Sequence, residues 1–245
     1  MKVLGYSTNL WEYYLEFMTQ KSGDLNEIRK YNKFFFDIFL RFTLIIFFCQ
    51  NRVFERSIQK LGESCNGGSI WKKYIEFETA NQEQGLLFNI YQRCIRSPLM
   101  NLEELFQMFK DFFANMSGKL FSESLTPEQS NFLDSELQKE TKEGEQSVAI
   151  EKKKEFFFQN MENVFHHSKN EMEKRKQFET SIKRDYFHVV PLTEPELDVW
   201  RQYINFEIDE FEKNNPNIGR VCVVFERCLI PCVCFFVFSH FLFFF

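Results

Sequence analysis

Three stretches of the chain place aromatic and aliphatic side chains at the same spacing. In residues 11–17, 71–78 and 200–207, a Trp is followed by Tyr three positions later, by an aliphatic residue at the fourth position and by Phe at the sixth. Positions three and four residues apart return to the same face of a helix, and the sixth position lies near that face. The spacing therefore predicts three amphipathic helices, each with a broad aromatic stripe.

A second pattern follows each aromatic stretch. Residues 53–58, 90–95 and 224–229 read Val-Phe-Glu-Arg-Ser-Ile, Ile-Tyr-Gln-Arg-Cys-Ile and Val-Phe-Glu-Arg-Cys-Leu. Pro98 and Pro231 follow the second and third copies, where a proline is expected to end a helix. Each unit is thus predicted to be a helix A, a turn and a helix B. Such pairs bury their apolar faces by stacking, so the expected fold class is all-α, an α-solenoid of helix–turn–helix repeats.

The aromatic positions of the two patterns are the expected structural residues of these repeats. They are Trp11, Tyr14, Phe17, Phe54, Trp71, Tyr74, Phe77, Tyr91, Trp200, Tyr203, Phe206 and Phe225. Aromatic stripes on helices usually pack against neighbouring helices, so we expect these side chains to form the core and not to bind a ligand. In particular, we expect Trp71 and Trp200 to be buried between helices A and B of their own units.

The repeats and the polar stretches between them divide the chain into segments. A weaker helix A, with Lys110 at the aliphatic position, is expected at residues 102–114. The stretch that follows is acidic and polar, which predicts a mobile linker with one helix starting near Pro127. The segments are repeat 1 (8–62), repeat 2 (68–97), the degenerate helix (102–114), an acidic linker (115–148), a long charged helix with its connector (149–190) and a further repeat (195–232).

Two short segments are far richer in Phe than the rest of the chain. Of the 33 Phe among 245 residues, seven lie in residues 30–51 and seven in residues 233–245. The first segment separates Trp11 from Phe54 by 43 positions, against 20 from Trp71 to Tyr91. Because Phe codons consist of pyrimidines, we interpret residues 30–51 as an insert in repeat 1, and residues 233–245 as a tail foreign to the repeats, both encoded by retained introns.

Membrane insertion is the alternative interpretation of the Phe-rich segments. A spanning helix needs about 20 apolar residues. Residues 34–49 are shorter and include Asp37 and Arg41, which are costly in a bilayer. Residues 228–245 leave a tail anchor open as an alternative, although the rest of the chain predicts no association with membranes.

Composition and motifs narrow the class of protein. Only nine Gly and six Pro argue against an all-β fold, and a net charge of −5 argues against coating of nucleic acid by charge alone. Seven Cys without a CxxC pair, and no signal peptide, predict reduced intracellular thiols. The sequence contains no Walker loop, GxGxxG, HExxH or GxSxG motif, so no enzyme and no cofactor are expected.

Two groups of polar residues are candidate binding sites. Cys222, Cys228, Cys232, Cys234 and His240 fit no common zinc module, so no metal is expected. The basic residues near the end of the long charged helix are candidate RNA contacts through phosphate, although this pattern favours a solvated helix face. These candidates are Lys174, Arg175, Lys176, Lys183 and Arg184.

The paired patterns resemble the HAT (half-a-TPR) repeat of α-solenoids in RNA-processing complexes. The segment Ile182-Lys-Arg-Asp-Tyr-Phe-His-Val189, with the charged helix before it, is similar to the segment that leads into a HAT repeat in splicing factors of this family. The resemblance implies a nuclear scaffold subunit of the U1 small nuclear ribonucleoprotein (U1 snRNP) that acts in 5′ splice-site selection. Because family members are much longer, it also implies that this chain is a fragment.

The resemblance also implies the partners. They are U1 snRNP proteins and a second HAT-repeat chain, in a homodimer or a heterodimer, with weak or indirect RNA contact. Two alternatives remain open at this point: a HAT-repeat subunit of mRNA 3′-end processing, and a membrane-anchored helical adaptor.

Overall fold

The structure is a computed structural model that describes residues 12, 13, 16, 51–140, 146–186, 188, 190–214 and 218–242. The regular structure of these residues is helical, which confirms the all-α fold class. Trp11, Tyr14 and Phe17 lie outside the described residues, as does the Phe-rich insert up to residue 50. The retained-intron hypothesis therefore stays a prediction.

The helices follow one another along the chain with short connections. In order they are α1 (described from residue 51 to 61), a 3₁₀ turn (Cys65–Gly67), α2 (Gly68–Asn81), α3 (Gln84–Ile95), α4 (Leu102–Ala114), α5 (Gly118–Ser124), α6 (Pro127–Glu140), α7 (Gln146–Ser181), α8 (Glu194–Asn214) and α9 (Ile218–Leu242). Helix α3 packs against α4 and α5, and α8 packs against α9. The chain forms two compact units, residues 71–174 and residues 1–70 with 175–245.

The unit of residues 71–174 has an aromatic core. Rings of Phe88, Phe113, Phe121 and Phe157 meet with centroids 5.3–6.3 Å apart, which joins α3, α4, α5 and α7. Such ring pairs add stability beyond the area that they bury. These four Phe residues therefore form part of the core of this unit.

The structure differs from the linker expected at residues 115–148, because α5 lies within it in addition to the expected helix near Pro127, which is α6. Phe121 and Leu133 are almost fully buried, so a few apolar side chains anchor a stretch that is acidic overall. Helix α6 does begin at Pro127, as expected, and a reciprocal cap precedes it. The Thr126 N–H donates to Gln129 Oε1 at 3.1 Å, and the Gln129 N–H donates to Thr126 Oγ1 at 3.3 Å.

The expectation that Pro231 ends its helix is wrong. Pro231 lies inside α9, which continues to Leu242. A proline inside a helix removes one backbone hydrogen bond and strains the preceding turn, but tertiary packing can retain the helix. Pro98, in contrast, lies after α3, which ends at Ile95.

The second unit is built around α8, α9 and the end of α7. Its buried core includes Leu192, Trp200, Tyr203 and Val224, with Phe178 packed against them. The ring of Phe178 stacks on that of Tyr203 with centroids 5.0 Å apart. Within the described part of the chain, no helix combines the length and the apolar character needed to cross a bilayer.

Candidate functional site

The same contact between Trp and Arg occurs in both complete helical pairs. The Arg93 guanidinium of α3 lies 5.5 Å from the ring centre of Trp71 of α2, and that of Arg227 in α9 lies 5.8 Å from Trp200 of α8. Both tryptophans are 2% exposed, which confirms the prediction that they are buried. A cation over an indole ring is attractive, and more so when desolvated. The contact therefore joins helix A to helix B in each pair.

Most other aromatic positions of the repeats are also in the core. Phe54, Tyr74, Tyr91 and Tyr203 are buried, and Phe77 and Phe206 are half-buried. These side chains occupy the faces that the aromatic spacing predicts.

Phe225 is the exception among these positions. It is 43% exposed, whereas Tyr91 at the equivalent position of α3 is 3% exposed. The expectation that Phe225 belongs to the core is thus wrong for this structure.

A buried carboxylate lies seven positions after the Trp of the third pair. Seven residues are two helical turns, so Glu207 falls on the buried face of α8 together with Trp200. Arg175 of α7 donates to Glu207 from Nε to Oε1 at 2.7 Å and from Nη2 to Oε2 at 2.9 Å. The Arg175 guanidinium also lies 5.4 Å from the centre of the Phe206 ring. This two-bond pair fastens α7 to α8.

One helical turn beyond Arg175, the carboxylate of Glu179 joins four elements. Arg227 Nη1 and Nη2 of α9 donate to it at 2.6 and 2.9 Å. Tyr203 Oη of α8 donates at 2.9 Å, and Asn66 Nδ2 of the 3₁₀ turn donates at 3.2 Å. The side chain of Glu179 is 2% exposed and that of Arg227 is 6% exposed. A buried charge needs this degree of pairing, because desolvation otherwise makes it costly.

The turn that carries Asn66 depends on a glycine. A Cβ on Gly67 would collide with the backbone carbonyl of Leu61, so no larger residue fits without a shift of the backbone. The carbonyl of Ser64 accepts a hydrogen bond from the Gly67 N–H at 2.9 Å. The tight turn thereby brings Asn66 within reach of Glu179.

The electrostatics of this cluster keep Glu179 ionised. Burial by itself would raise the pKa of Glu179, but the hydrogen bonds and charge of Arg227, with the Tyr203 and Asn66 bonds, outweigh it and lower the pKa. Cys65, with Sγ 3.8 Å from Tyr203 Oη, is affected in the opposite direction. Burial, and then the nearby charge of Glu179, raise the pKa of its thiol to about 12.

The lowered pKa of Glu179 predicts a loss of stability in acid. The contribution of this group is fully present above the pKa of an unfolded Glu, about 4.3, and is lost as the pH falls through the lower folded value. We expect the free energy of unfolding, measured in urea at a series of pH values, to fall in this range. The fall should be smaller for Glu179→Gln. Equal slopes of the free energy of unfolding against pH for the two proteins would contradict the lowered pKa of Glu179.

Burial also predicts the order in which three of the cysteines react with an alkylating reagent. Cys65 and Cys94 are 2% and 0% exposed, and burial raises the pKa of both thiols, whereas Cys222 is exposed. Because the thiolate is the reactive form, iodoacetamide should modify Cys222 in the native protein and the other two only after unfolding. Peptide mass spectrometry measures this order. Modification of Cys65 at the same rate as Cys222 in native buffer would show that Cys65 is not buried in solution.

Two of the five candidate RNA contacts are not available to a phosphate in this fold. Arg175 is buried against Glu207, so its expected role in RNA binding is replaced by one in the core. The side chain of Arg184 is 14% exposed, and its Nη2 lies 3.7 Å from Glu196 Oε2.

The other three candidate RNA contacts are Lys174, Lys176 and Lys183. Lys174 Nζ donates to Glu171 Oε1 at 2.7 Å, and the side chains of Lys176 and Lys183 are exposed.

Among the described residues, no group of three or more His, Cys, Asp or Glu side chains could hold a metal ion.

Sequence reasoning assigned no role to Glu179. The available signal was its spacing from Arg175, since residues four apart on a helix share a face. Phe178 and Ile182 on the same helix belong to the apolar surroundings of the core. Charged residues on the apolar face of a helix need buried partners from other helices, which are Glu207 for Arg175 and Arg227 for Glu179.

Two helical pairs with the same aromatic stripe and the same contact between Trp and Arg define an α-solenoid protein of the HAT-repeat class. The model of the PRP39 N-terminal HAT repeat matches residues 49–111, and that of the PRP39 C-terminal HAT repeat matches residues 173–238. Because the two matches together cover more than half of the chain, the protein belongs to the PRP39 family of HAT-repeat proteins. The second match extends beyond residue 232, where the sequence pattern placed the end of the repeat.

Curated relatives support this membership. The chain is 26% identical to Pre-mRNA-processing factor 39 of Xenopus laevis, over 96% of this chain and 35% of the relative. It is 32% identical to the protein of the same name from Danio rerio, over 73% of this chain and 26% of the relative. For Schizosaccharomyces pombe the values are 25% identity, 93% of this chain and 34% of the relative. The chain thus spans about a third or less of the length of these relatives.

Proposed function

We propose that this chain is a scaffold in pre-mRNA splicing, associated with the U1 snRNP and acting in 5′ splice-site selection. The observation that carries the proposal is the pair of PRP39 HAT-repeat matches on the two helical pairs with the shared contact between Trp and Arg. Relatives from several organisms bear the name Pre-mRNA-processing factor 39, which supports the same process. Splicing takes place in the nucleus, so we propose a nuclear location.

The buried charges support a scaffold function. Arg175 with Glu207, and Arg227 with Glu179, bind one helix to another and are shielded from solvent. Breaking such a pair is costly, so the pairs hold the helices in one arrangement. A fixed arrangement of helical pairs presents the same surface to each partner, and solenoid proteins use such surfaces for binding.

The partners that we propose are proteins of the U1 snRNP and a second HAT-repeat chain, identical or different. Lys176 and Lys183 are exposed, and Lys183 lies within the family-like segment 182–189. They are suited to a weak electrostatic contact with RNA, which would supplement binding to protein.

Affinity purification of the tagged chain from cells, followed by identification of bound proteins and RNA, tests the proposal. We expect U1 snRNP proteins and U1 RNA. Phe132→Ala, at a 49% exposed position, should leave recovery unchanged, whereas Trp200→Ala should abolish it by unfolding the third helical pair. Recovery of cleavage and polyadenylation factors would favour the 3′-end-processing alternative, and recovery in membranes would favour the adaptor.

A further inference from the structure

Two cysteines lie one helical turn apart on α9. The sulfur atoms of Cys228 and Cys232 are 3.9 Å apart, a distance at which one thiol can donate a hydrogen bond to the other, and both thiols are free. Cys232 belongs to the buried core around Trp200, whereas Cys228 is half-buried and packs against that core. Because residues four apart share a face of a helix, the two sulfurs can approach each other without movement of one helix against another.

The proline inside α9 lies between these two cysteines. Pro231 has no N–H to donate to the carbonyl of Arg227, so the turn lacks one of its backbone hydrogen bonds. A disulfide needs its two Cβ atoms about 3.5–4.5 Å apart, against about 5–6 Å for positions four apart on a regular helix. The turn must therefore tighten before the sulfurs can bond, and the missing hydrogen bond makes that tightening less costly.

The charge of Arg184 favours a thiolate at Cys232. The Nε and Nη2 atoms of Arg184 are buried and have no hydrogen-bond acceptor among the described residues, since Glu196 Oε2 is 3.7 Å from Nη2. The hydrogen bond from the Cys228 thiol, and then the charge of Arg184, lower the pKa of Cys232 in spite of its burial. The same hydrogen bond and burial raise the pKa of Cys228. Cys232 is therefore the nucleophile of the pair, and Cys228 is the thiol that follows it.

We propose that Cys228 and Cys232 form a modification site that hydrogen peroxide converts to a reversible disulfide within α9. The Cys232 thiolate attacks one oxygen of the peroxide, the O–O bond breaks, and the hydroxide that leaves takes up a proton to become water. The Cys228 sulfur then attacks the sulfur of the resulting sulfenic acid, the S–O bond breaks, and a second water leaves with the proton of the thiol. Each sulfur loses one electron and the peroxide gains two. Glutathione reverses the bond by thiol exchange, because a strained disulfide is readily reduced.

The other complete helical pair provides an internal control. By the repeat pattern, Cys94 of α3 occupies the position of Cys228, and the residue four positions later is Pro98. Cys94 is fully buried, and burial raises the pKa of its thiol. We therefore expect Cys94 to stay a free thiol under conditions that oxidise the α9 pair. The inference does not depend on a function in splicing.

Peptide mass spectrometry of the full chain tests the proposal. The protein is treated with hydrogen peroxide and unfolded, and the remaining thiols are alkylated with iodoacetamide. We expect the peptide that contains Cys228 and Cys232 to lose two hydrogens and to escape alkylation at both positions, and dithiothreitol should restore both thiols. In Cys228→Ser, dimedone should trap a sulfenic acid at Cys232. In Cys232→Ser, the trapped fraction at Cys228 should be at least about tenfold lower, because the thiolate is the reactive form.

Matched variants test the charge and the choice of partner. Arg184→Gln should slow disulfide formation by up to about tenfold, which corresponds to one pKa unit of Cys232, whereas Arg201→Gln at an exposed position should not. Cys222→Ser and Cys234→Ser should leave the disulfide unchanged, and circular dichroism checks that each variant is folded. Full alkylation of Cys228 and Cys232 after peroxide overturns the proposal, as does a disulfide to Cys222 or Cys234. Equal rates for Arg184→Gln and the unmodified protein would remove Arg184 from the site.

Discussion

Glu179→Ala should lower the free energy of unfolding of the unit around Trp200 by about 3–5 kcal/mol. The substitution leaves the guanidinium of Arg227 buried without its carboxylate and also removes the acceptor of Tyr203 and Asn66. An uncompensated buried charge costs more than the pair contributed, so the effect should be far larger than that of a surface ion pair. Urea unfolding followed by circular dichroism measures the change.

Two further variants test whether burial is the cause. Glu162→Ala removes an exposed carboxylate from the same helix and should change the free energy of unfolding by less than about 0.5 kcal/mol. The double variant Glu179→Leu with Arg227→Met removes both charges and should be closer in stability to the unmodified protein than the single variant. If Glu179→Ala is no more destabilising than Glu162→Ala, the cluster is not buried in solution.

Trp71→Ala should have an effect of similar size on the unit of residues 71–174. The side chain is 2% exposed, and removal of a large buried aromatic side chain costs about 3–5 kcal/mol through lost burial and the cavity that remains. Arg93 would also lose the ring over which it lies. The midpoint of urea unfolding, measured by circular dichroism, should fall accordingly.

Phe132→Ala is the matched control for Trp71→Ala. Phe132 belongs to the same unit and is 49% exposed, so its removal should cost much less. Equal midpoints for the Trp71 variant and the unmodified protein would count against burial of the repeat core. They would also count against the repeat assignment, since the same aromatic spacing predicts both the repeat and the burial of Trp71.

Several elements follow from local patterns of the sequence. The aromatic stripes at residues 71–78 and 200–207 predict α2 and α8, and the spacing at residues 106–112 predicts α4. The period of a helix repeats within a few residues, so each stretch contains the information for its own apolar face. The long charged segment likewise predicts one helix, and the structure has α7 there.

Other elements depend on residues that are distant in the chain. Arg175 lies in a charged helix and looks like a solvated cation, but its partner Glu207 lies 32 positions later. The acidic stretch before α7 forms α5 and α6 because Phe121 and Leu133 reach apolar surroundings. Pro231 fails to end α9, although Pro98 lies beyond the end of α3. In each case tertiary packing outweighs a local preference.

The sequence by itself determined the helical fold, the family and the faces that the Trp71 and Trp200 stripes bury. Periodicity is a local property, and burial of an apolar face follows from it wherever a neighbouring helix is present. Only the tertiary structure decided which charges meet around Glu179, because that cluster unites residues 66, 179, 203 and 227. It also decided that Tyr91 is covered and Phe225 is open. Both occupy the same motif position, and exposure depends on what packs against the helix, which the motif does not contain.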